Sequence, residues 1–263
     1  MKSMKPSEDS SREAKTRAEM EQIKSAIIGD ESLVEGGFRS DYGYVGDIGS
    51  LPTNLDALVT DPGYSTWDGP YIISDFNENS EDYKRDAWND LYTYTGDVLI
   101  TSAGGGSTIT KKFANVNTDI TANTVTGYVY DGDGEAPGSN SSDISVIIYY
   151  PDGSGDSTSS TTSPDSSGNY SFSNSIPIGN HLVKAVYNTG NDTTLTYVSV
   201  PPASDANCQL RFSISFGGGV VADTIEIRVS HNDDDAEEDD GGGMTVDNDK
   251  IEMGQMKYVG LRF

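Results

Sequence analysis

Asp86 to Gly106 reads DAWNDLYTYTGDVLITSAGGG, and a little upstream Ser65 to Ile72 reads STWDGPYI. Each phrase holds one of the chain's 2 tryptophans beside an acid and a turn. LYTYTG and DVLITS alternate apolar and polar residues and break at glycines, and PYIISDF from Pro70 does the same, which predicts short strands. Before them, SREAKTRAEMEQIKSAI predicts a helix running to about Ile28. Ser7 or Ser10 would cap it, Glu8, Asp9 and Glu13 suit its first turns, and Gly29 would stop it. Ala14, Ala18, Ile23, Ala26 and Ile27 supply a narrow apolar stripe, leaving Arg12, Lys15, Arg17, Glu19, Glu21 and Lys24 for water. A second short helix is predicted at Asn54 to Val59, capped by Thr53 or Asn54. The sequence therefore predicts an α+β region, residues 1–116, in which the helix packs on a small antiparallel sheet.

Beyond Asn117 the texture changes. TVTGYVYDGDGEAPG, ISVIIYYPDGSG, GNYSFSNSIPIGNHLVKAVYN and LTYVSVPP are strand phrases separated by DG, PDG and SSG turns, which predicts an all-β sandwich over residues 117–202. A β-rich C-terminal section, residues 203–263, carries the strand phrases CQLRFSISF, DTIEIRVS and MKYVGLRF. Its loop at 232–240 is crowded with acids that repel one another and stay solvated. Where this section belongs is open from sequence alone.

Composition narrows the function classes. Hydrophobic residues are 34% of 263, and 42 acids stand against 17 bases for a net charge of −25, which repels phosphate backbones and anionic lipid alike. Nucleic acid is not an expected partner. Cys208 is the only cysteine, so no internal disulfide or cysteine-based metal cluster forms. The N-terminus shows neither the apolar core of a signal peptide nor a membrane-length apolar run.

No catalytic constellation emerges. There is no G-x-S-x-G elbow, and His181 and His231 fall in a strand start and at the acidic run. The glycine runs at Gly104 to Gly106, Gly217 to Gly219 and Gly241 to Gly243 lack the lysine and helix start of a phosphate cradle. Carboxylates are so abundant that no pair stands out for glycoside hydrolysis. Calcium is the one cofactor with candidate ligands: Asp131, Asp133 and Glu135, then Asp152 to Asp156, then Asp247 and Asp249. None meets the twelve-residue loop pattern, so solvated turns are the simpler reading and no cofactor is expected.

The helix, LPTNLDALV, WDGPYI, DAWNDLYTYTG and VLITSAGGG occur in the order found in pseudopilins of type II secretion systems, relatives of type IV pilins. Residues of about 7–116 resemble the soluble part of that family. In it an apolar N-terminal helix, processed by a prepilin peptidase, anchors the subunit in the inner membrane and then forms a filament core. This chain lacks that half-helix, its glycine cleavage site and the glutamate that follows. The resemblance implies a non-enzymatic structural subunit on the periplasmic or extracellular face, whose partners are other pilin-like subunits in a homo-oligomeric filament, the secretion or pilus assembly machinery, and the inner membrane. It makes Trp67, Gly69, Pro70, Tyr71, Asp86, Trp88, Tyr92 and Tyr94 a structural signature of packing residues. Family members usually follow the sheet with an aspartate-bearing calcium loop. Here Ser102 and Ala103 run into glycines, so that site is not carried over.

The second region resembles carboxypeptidase regulatory-like modules of the transthyretin or immunoglobulin type, through its G-Y-V strand, DSSGNYSF at Asp165 to Phe172 and IPIGNH at Ile176 to His181. Such modules have no activity of their own and often serve as spacers or adhesion units. The alternative implied is a cell-surface adhesin or carbohydrate-binding module tethered by the pilin-like part.

Overall fold

A computed structural model describes residues 6–72 and 81–216. Most of PYIISDF, the strand phrases after residue 222, the acidic loop 232–240, His231, Asp247 and Asp249 lie outside them. The fold is mixed α+β and rich in strands, with one long helix at its start.

Helix α1 spans Pro6–Ile28 with Glu8 and Asp9 in its first turn. It stops at Gly29, whose φ of +83° and whose N–H to the Ser25 carbonyl (2.7 Å) close the last turn. A Cβ at Gly29 would stand 2.2 Å from the Asp41 carbonyl oxygen, so only glycine fits this stop. The buried stripe is Thr16, Met20, Ile23, Ala26 and Ile27, whereas Ala14 and Ala18 are exposed. The expected stripe is thus rotated in its first half. Alanine loses little by facing water, so it marks a face weakly, and Thr16 is buried because its hydroxyl accepts the Ala87 N–H at 3.1 Å.

A two-residue hairpin follows, β1 (Val34–Glu35) with β2 (Phe38–Arg39). Helix α2, Gly43–Ile48, buries Tyr44, Val45 and Ile48 where the sequence had only a loop to offer. The short helix expected at Asn54 is a 3-10 helix, Leu55–Leu58, and the Asn54 side chain accepts from the Asp56 and Ala57 N–H groups as a cap should. The sheet against α1 has two strands, β3 (Leu99–Ser102) and β4 (Ile109–Lys112), in antiparallel register from Leu99↔Lys112 to Ser102↔Ile109. LYTYTG contributes isolated bridges, Arg85↔Leu91 and Thr93↔Thr101, in place of a strand. Tyr71 and Ile72 give their N–H groups to the Leu58 carbonyl.

After α3 (Thr118–Thr121) come β5 (Asn123–Tyr130), β6 (Ile144–Pro151), β7 (Ser157–Thr162), β8 (Asn169–Ile176), β9 (Gly179–Tyr187), β10 (Asp192–Val200) and β11 (Asp205–Arg211). They form an antiparallel sheet ordered β10-β9-β6-β7 and a smaller one ordered β11-β5-β8. β11 pairs with β5 in parallel, from Asp205↔Thr124 to Arg211↔Tyr130, so this part of the C-terminal section belongs with the preceding strands. Strict alternation turns Val125, Val129, Ala206, Cys208 and Leu210 inward, against Ile144, Val146, Ile148, Val183 and Ala185 of the other sheet.

Two cores result, yet the described residues all belong to one compact unit. Ile178, from the turn before β9, lies in the helical core, and its N–H reaches the Ile120 carbonyl at 2.9 Å. The Gly153 N–H bonds the Ile48 carbonyl at 2.8 Å, and the Tyr42 and Ser199 hydroxyls meet at 2.5 Å. Ser65 and Thr66, the start of STWDGPYI, clamp the β6–β7 turn through the Gly155 carbonyl.

His181 sits on β9, 2% exposed, its Nε2 within 2.8 Å of the Pro177 carbonyl. Burial lowers its pKa from the ordinary 6.5, with the hydrogen bond opposing in part. The folded chain therefore refuses a proton that the unfolded chain accepts, so stability falls as pH drops below that value. Urea denaturation at pH about 7.5 and about 5.5 checks this: the loss on acidification should be smaller in His181→Gln than in the parent chain, and equal losses would refute the assignment.

Candidate functional site

The signature residues are drawn into two separate clusters, with no shared cleft. In the first, the Trp67 indole N–H donates to the Ala57 carbonyl at 3.0 Å, and its ring stands edge-on to Tyr71 at 5.7 Å. Tyr71 is in turn edge-on to Tyr44 and donates its hydroxyl proton to Asp47 at 2.7 Å. Burial pushes the Asp47 carboxyl above its usual range, with the Tyr71 bond opposing. Gly69 is required because a Cβ would fall 2.4 Å from the Trp67 ring, and Pro70 follows it through a cis bond.

In the second cluster Asp86 is 5% exposed and fully engaged. Its Oδ1 accepts the N–H groups of Trp88 (2.9 Å) and Asp90 (3.0 Å), and its Oδ2 accepts the Ser102 hydroxyl (2.5 Å). Ser102 then takes the Gly104 N–H. The Trp88 indole lies on the glycine run, where a Cβ at Gly105 would come within 2.6 Å of the ring. Tyr92 donates to Glu19 of α1 at 3.0 Å, and Tyr94 donates to the Pro52 carbonyl and tilts against Phe113. DAWND and SAGGG are thus two halves of one junction under the helix.

Among the described residues the Asp86 turn occurs four times. Asp86, Asp131, Asp152 and Asp165 each accept at Oδ1 the N–H groups of the residues two and four positions on. Each also gives its own N–H to the carbonyl of the fourth residue on. The third position after the aspartate has positive φ: Asn89 at +71°, Gly134 at +87°, Gly155 at +100° and Gly168 at +89°. The sequence pattern is D-x-x-G-x, with asparagine once in place of glycine, both residues that tolerate this backbone.

This bears on the calcium candidates. Asp131 is 2% exposed, and beyond its own turn it accepts the Phe216 N–H at 2.9 Å. Burial raises its pKa, but the N–H groups of Phe216, Glu135 and Asp133 outweigh burial and hold it below the usual range. Asp133 and Glu135 enter the turn through their backbone N–H groups and are exposed. The lone pairs a cation would need at Asp131 already face protein donors. Asp152 is spent the same way, its carboxyl lowered by the Ser154 hydroxyl and by N–H groups of the turn. Among the described residues no three His, Cys, Asp or Glu side chains converge as a metal site requires.

Cys208 is buried on β11 and burial raises its thiol pKa, so its thiolate is disfavoured. No family model matches this chain, and no curated protein matches it.

Two substitutions separate close packing from backbone conformation in the glycine run. Gly104→Ala places a Cβ 2.4 Å from Asp86 Oδ2 and 2.7 Å from the Trp88 ring, whereas Gly106 has nothing within 4 Å. Gly104→Ala should cost more than about 2 kcal/mol in urea denaturation, and Gly106→Ala only about 1 kcal/mol for its positive φ. Asp131→Ala strands buried N–H donors and should cost about 3 kcal/mol in the same measurement. Excess calcium should leave the parent's melting temperature unmoved.

Proposed function

We propose that the chain is the soluble part of a pilin-like structural subunit, of the type II secretion pseudopilus or type IV pilus kind, carrying a β-sandwich module of the carboxypeptidase regulatory-like type for display. The observation that carries this reading is the helix. Only the second half of α1, from Thr16 on, is buried against the body, while Glu8 to Lys15 stand exposed apart from a half-buried Arg12. A helix of 23 residues that packs through one half suits a subunit whose helix continues into a filament core. The β3–β4 pair against α1 and the two-sheet layout of β5 to β11 support the same reading. On this reading the subunit works on the periplasmic or extracellular face, an apolar helical segment holds it in the inner membrane before assembly, and its partners are further copies and the assembly machinery.

The outward side of α1 around the point where the helix leaves the body carries the ion pairs Arg17–Glu13 (2.7 Å) and Lys15–Glu19 (3.6 Å), the first between side chains 57% and 50% exposed. Pairs this wet add only about 0.2 to 1 kcal/mol to folding. They are free to set register between neighbouring subunits. Lys15→Glu with Arg17→Glu, introduced into the full gene product in its own host, should cut filament yield severalfold while leaving the melting temperature of the soluble chain within a few degrees. Filament yield equal to the parent's would count against the reading.

A further inference from the structure

The smaller sheet has an outer face that the filament reading does not use. β5 turns Thr126, Tyr128 and Tyr130 outward, and the register sets two rows across its three strands. One row is Asn207–Thr126–Ser171 and the next is Gln209–Tyr128–Asn169. Strand spacing makes each row about 10 Å long, and the rows lie about 7 Å apart. With Ser163 as a side wall they line a cleft of about 540 Å³.

Its chemistry is unusual for this chain. None of the nine lining residues is charged, although 22% of the chain is and the net charge is −25. Among the described residues the amides of Asn207 and Gln209 have no hydrogen-bond partner, and both side chains are exposed. Asn169 is oriented by the Asp165 carboxylate at 3.2 Å, and the Ser171 hydroxyl is hydrogen-bonded to the Ser173 hydroxyl at 2.9 Å. The Tyr128 ring is braced by the Tyr130 ring, 5.8 Å away and nearly parallel, and by the Gly168 backbone, which has no Cβ to displace it. The aromatic wall is therefore fixed before any ligand arrives.

We propose that this cleft binds a neutral glycan segment. Hydroxyl-rich sugars offer donors and acceptors together, which matches amides and hydroxyls that can serve as either. Their C–H faces suit a fixed tyrosine, and the patch has the dimensions of one or two sugar rings. A phosphate, nucleotide or acidic polysaccharide would meet no lysine or arginine in the lining and would approach a strongly acidic protein. An apolar ligand would strand the unpaired amides. The site does not depend on filament assembly, since the soluble chain carries all of it.

Calorimetric titration of the soluble chain with cellohexaose, chitohexaose and mannohexaose, and with hexagalacturonate as the anionic contrast, tests the proposal. At least one neutral oligosaccharide should bind. Asn207→Ala with Gln209→Ala should weaken it tenfold or more with an unchanged melting temperature, and Tyr128→Ala should weaken it further. Tyr149→Ala with Tyr197→Ala, on the outer face of the larger sheet, should leave it intact. No binding by any neutral probe, binding of the anionic probe alone, or loss caused by the Tyr149 and Tyr197 pair and not by the amides would overturn the assignment.

Discussion

The carboxylate of Asp86 is the contact on which the first half of the structure hangs. It fastens its own turn, holds β3 through Ser102, and so sets Trp88 down on the glycine run. The same turn presents the Ala87 N–H to Thr16, which fixes the face that α1 turns inward. A buried carboxyl group of this kind is tolerated because hydrogen-bond donors surround it, and its removal would leave several of them unpaired. The turn recurs in the second half, where Asp131 ties the β5 end to Phe216 and Asp152 shapes the loop gripped by Ser65. Much of the chain's acidity near these turns is thus structural, with the backbone as its counter-charge.

That grip joins the two halves. Backbone groups of α2 and of the 64–66 segment meet the β6–β7 turn, and Gly155 is needed there because a Cβ would strike the Tyr64 ring at 2.3 Å. Ile178 crosses into the helical core. The boundary read from composition near Asn117 marks a change of texture, while the packing runs across it.

Local features were legible in the sequence because they rest on local chemistry: the Gly29 stop, the Asn54 cap, and the alternation that defines β5, β6 and β9. α2 was not, since GYVGDI holds two glycines and becomes helical only by burying Tyr44, Val45 and Ile48 against distant residues. The α1 stripe was half misread because the inward face is chosen by a partner 71 positions away, Ala87. The acids of Asp131 to Glu135 resemble cation ligands by spacing. Only the D-x-x-G-x repeat, compared across its four occurrences, points to a turn that consumes its own aspartate. The outer cleft was invisible because its two rows combine β5 with strands that lie about 40 and 80 positions further along the chain.

The parallel pairing of β5 with β11 has a consequence for how the protein is made. β5 emerges first of the seven strands and β11 last, so the smaller sheet stays open along one side of its central strand β5 while the intervening strands are synthesised. Such a closure is long-range and slow. Until it happens, the backbone edge of β5 that β11 will occupy is unpaired on a nascent chain, and neighbouring copies present the same edge. Between these strands 8 acids stand against one lysine, and that excess gives emerging chains a mutual repulsion during the interval. Solubility is then a requirement of the unfinished chain as much as of the folded one.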